Sequence, residues 1–183
     1  EERILKNFPL ATIIRPSIVY SVDDNFTTNF MTLLNRLPIF PLYYEGKTKF
    51  TPIHCSDLTD IIFNIISKSV NSKIIECVGP EVISFKEILE KLLNLIGKKR
   101  LLIPMPLPVA QLSARVFEIM PKPILTRDQL KLLKYDNILS GKYKSNSDIG
   151  VPSLRYFDEE VKKYCYMWRE GGQFSTEKYT SNN

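Results

Sequence analysis

Glycine is scarce in this chain of 183 residues: seven in all, none arranged as G-x-G-x-x-G or as a P-loop. A phosphate cradle of backbone N–H groups at a helix start is therefore excluded within it. Histidine is scarcer still, with His54 alone. A His/Glu metal cluster needs more imidazole than that, and a Ser–His–Asp triad would have to use this one residue. Cys55, Cys77 and Cys165 are odd in number and widely spaced, with no C-x-x-C pair. That pattern argues against a disulfide framework or a structural zinc site and fits a reducing compartment. Long apolar runs are absent too. Residues 101–112 form the longest, and three prolines (Pro104, Pro106, Pro108) interrupt it well short of the roughly 20 residues a bilayer demands. No repeat or low-complexity tract occurs in these residues, and residues 1–20 do not read as a signal peptide.

What remains is 44% hydrophobic and 25% charged, the composition of a globular chain able to bury a core. The net charge of +5 is uneven: residues 1–85 carry −1 and residues 86–183 carry +6. The basic half has no dense Lys/Arg tract, so a nucleic-acid partner is not expected.

Ala11–Ile14 is a β-branched apolar run ended by Arg15-Pro16, the pattern of a parallel strand buried on both faces. Asp23, Asp24 and Asn25 are cap candidates for a helix carrying Phe26, Phe30, Leu33, Leu34 and Leu37, which Pro38 stops. Pro38 and Pro41 frame an extended link, and residues 48–53 read as a strand. Ser56 or Asp57 is expected to cap a helix bearing Leu58, Ile61, Ile62, Ile65 and Ile66. Residues 73–78 form a second β-branched strand. Ser84 to Glu87 is a capping box opening a helix that Gly97 closes. Residues 100–103 suit a short strand, 108–120 a helix, 126–129 a second capping box, and 158–168 a last helix. The class is α/β, becoming mostly helical after residue 84.

Individual residues point to chemistry less strongly. His54 and Cys55 are neighbours whose side chains would leave a strand on opposite faces, so a catalytic pair is not expected. Asp57 reads as a helix cap rather than a general base. In the second capping box Thr126 and Gln129 are explained by capping, whereas Arg127, Asp128, Asp136 and Asn137 are not. These four are candidates for meeting a partner or bracing the domain.

Ala11-Thr-Ile-Ile-Arg-Pro-Ser-Ile-Val-Tyr20 resembles the RPxxVYG segment of extended and atypical short-chain dehydrogenases. Gly46-Lys-Thr-Lys-Phe-Thr-Pro-Ile53, Ser56-Asp57-Leu58 and Gly79-Pro80-Glu81 continue that resemblance. Leu125-Thr-Arg-Asp-Gln-Leu-Lys-Leu-Leu-Lys-Tyr-Asp-Asn-Ile138 and Trp168-Arg-Glu-Gly-Gly-Gln173 narrow it. Together they are similar to the short-chain-dehydrogenase-like, nucleotide-binding accessory subunits of respiratory complex I, NADH:ubiquinone oxidoreductase. The similarity runs from about Glu1 to Gln173 and matches the C-terminal half of that family's proteins.

The resemblance implies the C-terminal part of a Rossmann-type fold. Residues 1–83 would end the NAD(P)-binding sheet, 84–173 form a mainly helical subdomain, and 174–183 a flexible tail. The glycine-rich loop and the Tyr-x-x-x-Lys pair of the family would lie upstream of Glu1, so no catalytic residue is expected here and hydride transfer is not. Pro16, Ser17, Ile18 and Val19 follow the end of a strand, where open α/β sheets place ligands. Through the resemblance they are the candidate cofactor-binding residues. The implied cofactor is NAD(P)H, NADPH more than NADH, held mainly through the upstream half. The implied role is a non-catalytic accessory or assembly subunit touching peripheral-arm subunits through the helical region. It would sit peripherally on the cytoplasmic side of a bacterial inner membrane or on the mitochondrial matrix side. The alternative is an NAD(P)-dependent epimerase, dehydratase or reductase on the same fold. Ser21 stands where many relatives have glycine, and it would weaken close cofactor approach if that position required positive φ.

Overall fold

A computed structural model describes residues 1–68, 70, 74–106 and 133–174. Chain order begins with helix α1 (Glu2–Asn7), strands β1 (Ile13–Pro16) and β2 (Val19–Tyr20), helix α2 (Thr27–Arg36) and strand β3 (Ile39–Leu42). It continues with β4 (Lys49–Phe50), β5 (Ile53–His54), α3 (Cys55–Ser67), β6 (Ile74–Cys77), β7 (Ile83–Ser84) and α4 (Phe85–Leu95). The remaining elements are β8 (Leu101–Pro104), β9 (Lys144–Ser145) and α5 (Phe157–Lys162), with short 3-10 turns between them.

The central sheet is parallel, in the order β1-β6-β9, with Ile13 opposite Ile74 and Glu76 opposite Ser145. Its β1-to-β6 connection passes through α3, the crossover that parallel pairing requires. A second parallel pair, β2 with β5, extends the carboxyl side of this sheet. Further along, β3 pairs in parallel with β8, and β4 pairs antiparallel with β7.

Among the described residues two larger apolar clusters form, beside a small one around Tyr43. Ile53, Ile61, Ile75 and Cys77 pack between α3 and the central sheet. A larger core gathers Tyr20, Met31, Leu34, Phe50, Phe85, Leu89, Leu92, Phe157 and Val161 from α2, α4, α5 and the short strands around them. Its rings interlock, with Phe30 edge-on to both Phe40 and Phe85.

Local signals set the helix ends. The Asp24 carboxylate accepts from the backbone N–H groups of Phe26 and Thr28 at the start of α2. Ser84 Oγ accepts from Glu87 N at 3.2 Å while Ser84 N donates to Glu87 Oε2 at 2.6 Å, so the capping box is present as expected. Gly97 follows α4 with φ +66, as a left-handed C-terminal cap.

Several expectations are corrected. Strand β1 is half-buried rather than buried on both faces, because among the described residues it pairs with β6 alone. The stretch framed by Pro38 and Pro41 is a strand, β3, not merely a link. The strand over 48–53 is two strands, since Pro52 separates β4 from β5. The last helix ends at Lys162, and Cys165–Trp168 follows as a 3-10 turn. The expected helix over 108–120 and the capping box over 126–129 lie outside the described residues. No helix among the described residues is long and apolar enough to cross a membrane.

Candidate functional site

The carboxyl ends of β1 and β6 draw four chain segments into a single backbone knot. Ser17 N donates to Cys77 O at 2.9 Å, and Ile53 N to Ile18 O at 2.9 Å. Gly79 N donates to Thr51 O at 3.1 Å. Gly79 permits that approach. A Cβ there would lie 1.7 Å from Pro52 O, a distance no side chain tolerates.

The fourth segment arrives from residues 133–137. Phe50 and Asn137 form an isolated parallel bridge, with Asn137 N donating to Lys49 O at 2.8 Å and Thr51 N to Asn137 O at 3.2 Å. Asp136 Oδ1 accepts from Lys49 N at 2.8 Å. Ser17 Oγ, buried at the centre, donates to Asn137 O at 3.0 Å and accepts from Thr51 N at 3.2 Å.

These contacts place the candidate residues. Pro16 is exposed at the mouth of the sheet, Ser17 is buried, and Ile18 and Val19 are half-buried. The Ser17 hydroxyl, Ser17 N and Ile18 O are committed to the knot, so what these four residues leave outward is mainly apolar surface. The structure thus brings Pro16–Val19 together with Asp136 and Asn137. The Asp136 carboxylate and the Asn137 main chain serve inside the chain, bracing β4. Arg127 and Asp128 lie outside the described residues.

Beneath the knot is a buried polar layer. Tyr20 is fully buried, its hydroxyl donating to Arg155 O at 3.2 Å, its ring edge-on to His54 and against Phe157. Burial drives its phenol far above the usual range, helped by the Glu160 and Asp57 charges, so it stays protonated. His54 Nδ1 accepts from Ser56 N at 3.3 Å, and Nε2 lies 4.0 Å from Glu160 Oε2. Burial lowers its basicity against the opposing pull of Glu160. His54 itself is therefore the N-cap of α3, in place of Ser56 or Asp57. Asp57 is neither cap nor base. Its buried carboxylate accepts from the Arg155 guanidinium and from Arg155 N at 3.2 Å. Burial also pushes the Cys77 thiol up to about 11.

Ser21 has an ordinary backbone. The non-glycine residues with positive φ among those described are Tyr44 and Glu45, so strain of that kind at Ser21 is absent. Its N–H donates to Asp24 Oδ2 at 3.1 Å instead. No group of three or more His, Cys, Asp or Glu suited to a metal occurs among the described residues.

A parallel sheet joined by a helical crossover defines a Rossmann-type α/β protein. Comparison with solved structures narrows the class to the fold of extended short-chain dehydrogenases. The UDP-glucose 4-epimerase of Thermus thermophilus, solved in complex with NAD, superposes with a TM-score of 0.59 at 13% identity. That match covers 91% of this chain and 49% of the epimerase.

Sequence comparison then gives the particular relatives. No protein-family model matches the chain. It is 25% identical over 183 residues to the mitochondrial NADH dehydrogenase (ubiquinone) 1 alpha subcomplex subunit 9 of Arabidopsis thaliana, covering 94% of this chain and 45% of that protein. The Mus musculus protein of the same name is 24% identical over 175 residues, covering 92% and 46%. The chain is similar to these mitochondrial NADH dehydrogenase (ubiquinone) subunits, and spans about half the length of the curated relatives it matches.

Proposed function

We propose that these residues form the C-terminal half of an accessory subunit of mitochondrial complex I, one that holds a nicotinamide dinucleotide without turning it over. The observation that carries this reading is the similarity to complex I subunits along more than nine-tenths of the chain. The geometry supports it. The mouth of the sheet offers apolar surface at Pro16, Ile18 and Val19, which suits packing against a nicotinamide ring.

The nearby groups able to move a proton are otherwise engaged. Tyr20 is buried with its hydroxyl on Arg155 O, His54 caps α3, and the Ser17 hydroxyl belongs to the knot. The dinucleotide, NADPH in this reading, would supply hydride chemistry when bound. Residues 16–19 would orient only its nicotinamide end. The residues that follow 84 would face peripheral-arm subunits on the matrix side.

The test is isolation of the intact protein from its own membranes. Co-migration with complex I in native gels, together with NADPH released by acid, is the expected result. Migration free of complex I overturns the reading, as does an intact protein that releases no dinucleotide.

A further inference from the structure

The carboxyl ends of β3 and β8 open onto a cavity whose lining includes none of residues 16–19. Leu42 ends β3 opposite Pro104, the last residue of β8. The carboxyl ends of parallel strands are where open sheets leave room for ligands. The cavity measures about 830 Å³, enough for a whole small molecule. Leu42, Leu102 and Pro104 give it an apolar wall, while Lys47, Lys49 and Lys86 with Glu45 give it a charged rim. Among the described lining residues three ammonium groups thus face one carboxylate.

The fold itself gathers the three lysines. Burial alternates along 47–50, so Thr48 and Phe50 enter the core while Lys47 and Lys49 stay exposed. Lys49 pairs with Ser84 across β4 and β7, two residues before Lys86. The 3-10 turn Tyr43–Gly46 runs through three left-handed residues, with φ 50 at Tyr44, 58 at Glu45 and 69 at Gly46. It seats Gly46 so tightly on α4 that an added Cβ would lie 2.7 Å from Lys86 Cβ. The carboxylates nearby do not neutralise this rim. Lys47 and Glu45 form an ion pair with side chains 79% and 62% exposed, and Lys86 lies 3.5 Å from Glu90 with both about half-exposed. Exposed pairs of this kind contribute little and yield to a multiply charged anion. The Glu87 carboxylate is engaged by Ser84 N at 2.6 Å.

We infer that this cavity binds a phosphate-bearing amphiphile. Lys47, Lys49 and Lys86 hold the phosphate, and Leu42, Leu102 and Pro104 receive the apolar body. Each ammonium is a compact charge with three donors, able to meet phosphate oxygens from its own direction. A bare phosphate would leave most of the volume unfilled, and an uncharged apolar ligand would leave the lysines unmatched. A phospholipid headgroup and a soluble phosphorylated compound share this chemistry. The inference does not rest on the proposed function.

Isothermal titration calorimetry of the intact protein with hexyl phosphate, inorganic phosphate and hexanol tests it. Hexyl phosphate is expected to bind more tightly than inorganic phosphate, and hexanol is expected not to bind. Lys49→Gln and Lys86→Gln should each weaken hexyl phosphate by about tenfold, the loss of one charge-assisted hydrogen bond. Lys86→Gln touches neither the Ser84–Glu87 capping box nor the knot, so its effect is read on a folded protein. Lys142→Gln, at an exposed lysine outside the described lining, should leave binding unchanged. Flotation with phosphatidylcholine vesicles, with and without phosphatidic acid, separates the two sources. Capture that needs phosphatidic acid and is lost in Lys86→Gln assigns a lipid, and hexyl phosphate binding without capture assigns a soluble compound. Absence of hexyl phosphate binding, binding that neither Lys49→Gln nor Lys86→Gln weakens, or equal weakening by Lys142→Gln overturns the inference. None of these outcomes depends on whether the protein carries a dinucleotide or joins complex I.

Discussion

Gly79→Ala is the sharpest single perturbation the structure offers, because the clash is with main chain and not with a movable side chain. The added Cβ would lie 1.7 Å from Pro52 O, 2.7 Å from Pro52 C and 3.4 Å from Ile53 Cα. Relief requires the Cys77–Gly79 and Thr51–Ile53 segments to part by more than an ångström. That movement breaks the Gly79 N to Thr51 O hydrogen bond. Overpacking strain of about 1–3 kcal/mol together with a lost hydrogen bond of about 1 kcal/mol makes a total of roughly 3 kcal/mol. For a protein of this size that is a fall of about 6–12 °C in melting temperature. Differential scanning fluorimetry measures it, with Gly141→Ala as the control. Gly141 also has positive φ, +71, but nothing lies within 4 Å of its added Cβ, so only the backbone penalty of about 1 kcal/mol applies. Because the knot shapes the strand ends, dinucleotide retention should fall with Gly79→Ala and stay unchanged with Gly141→Ala. A Gly79→Ala protein no less stable than Gly141→Ala would refute the close-approach argument.

Arg155→Met should destabilise by about 3 kcal/mol in urea titrations, because it leaves the Asp57 carboxylate buried without its guanidinium; Asp57→Asn should cost less, since Arg155 is partly exposed and still reaches Asp60. His54 is held below its usual pKa of about 6.5 by burial, so its contribution is full above that pH and is lost as pH falls toward the lower folded value. Melts between pH 7 and 5 should therefore decline more steeply for the wild type than for His54→Asn, which retains a capping side chain. Ser84→Ala should cost about 1 kcal/mol at pH 7. Hydrogen bonds from Ser84 keep Glu87 below the usual carboxylate range, so that cost should shrink as pH falls through the lowered value and the carboxyl protonates.

Features made by residues three or four apart are legible in the chain alone. The Ser84–Glu87 box, the apolar stripe of α4 and the Gly97 cap all follow from such short spacings and are present, whereas the N-cap position of α2 falls on Phe26, with Asp24 accepting from its N–H two residues before it. The β-branched runs at 11–14 and 73–78 likewise mark strands of a parallel sheet, although the first runs on through Arg15 and Pro16, which pair with Glu76 and Cys77. The resemblance of residues 11–20 to a dehydrogenase segment gives the fold class.

Long-range pairing is another matter. Strand β3 escapes notice because Pro38 and Pro41 read as breaks, and only its pairing with β8, far along the chain, makes it a strand. His54 reads as an isolated histidine until its ring meets Ser56 N on one side and Glu160 on the other. Asp57 reads as a cap until Arg155, 98 residues away, supplies its partner. Asp136 and Asn137 read as candidates for meeting a partner or bracing the domain until the chain returns them to β4, where they brace it. Local rules act through hydrogen bonds and rotamers within a turn of helix or a few residues of strand. Which distant segment fills the space beside a given side chain is set by packing of the whole core, and no spacing within the chain encodes it.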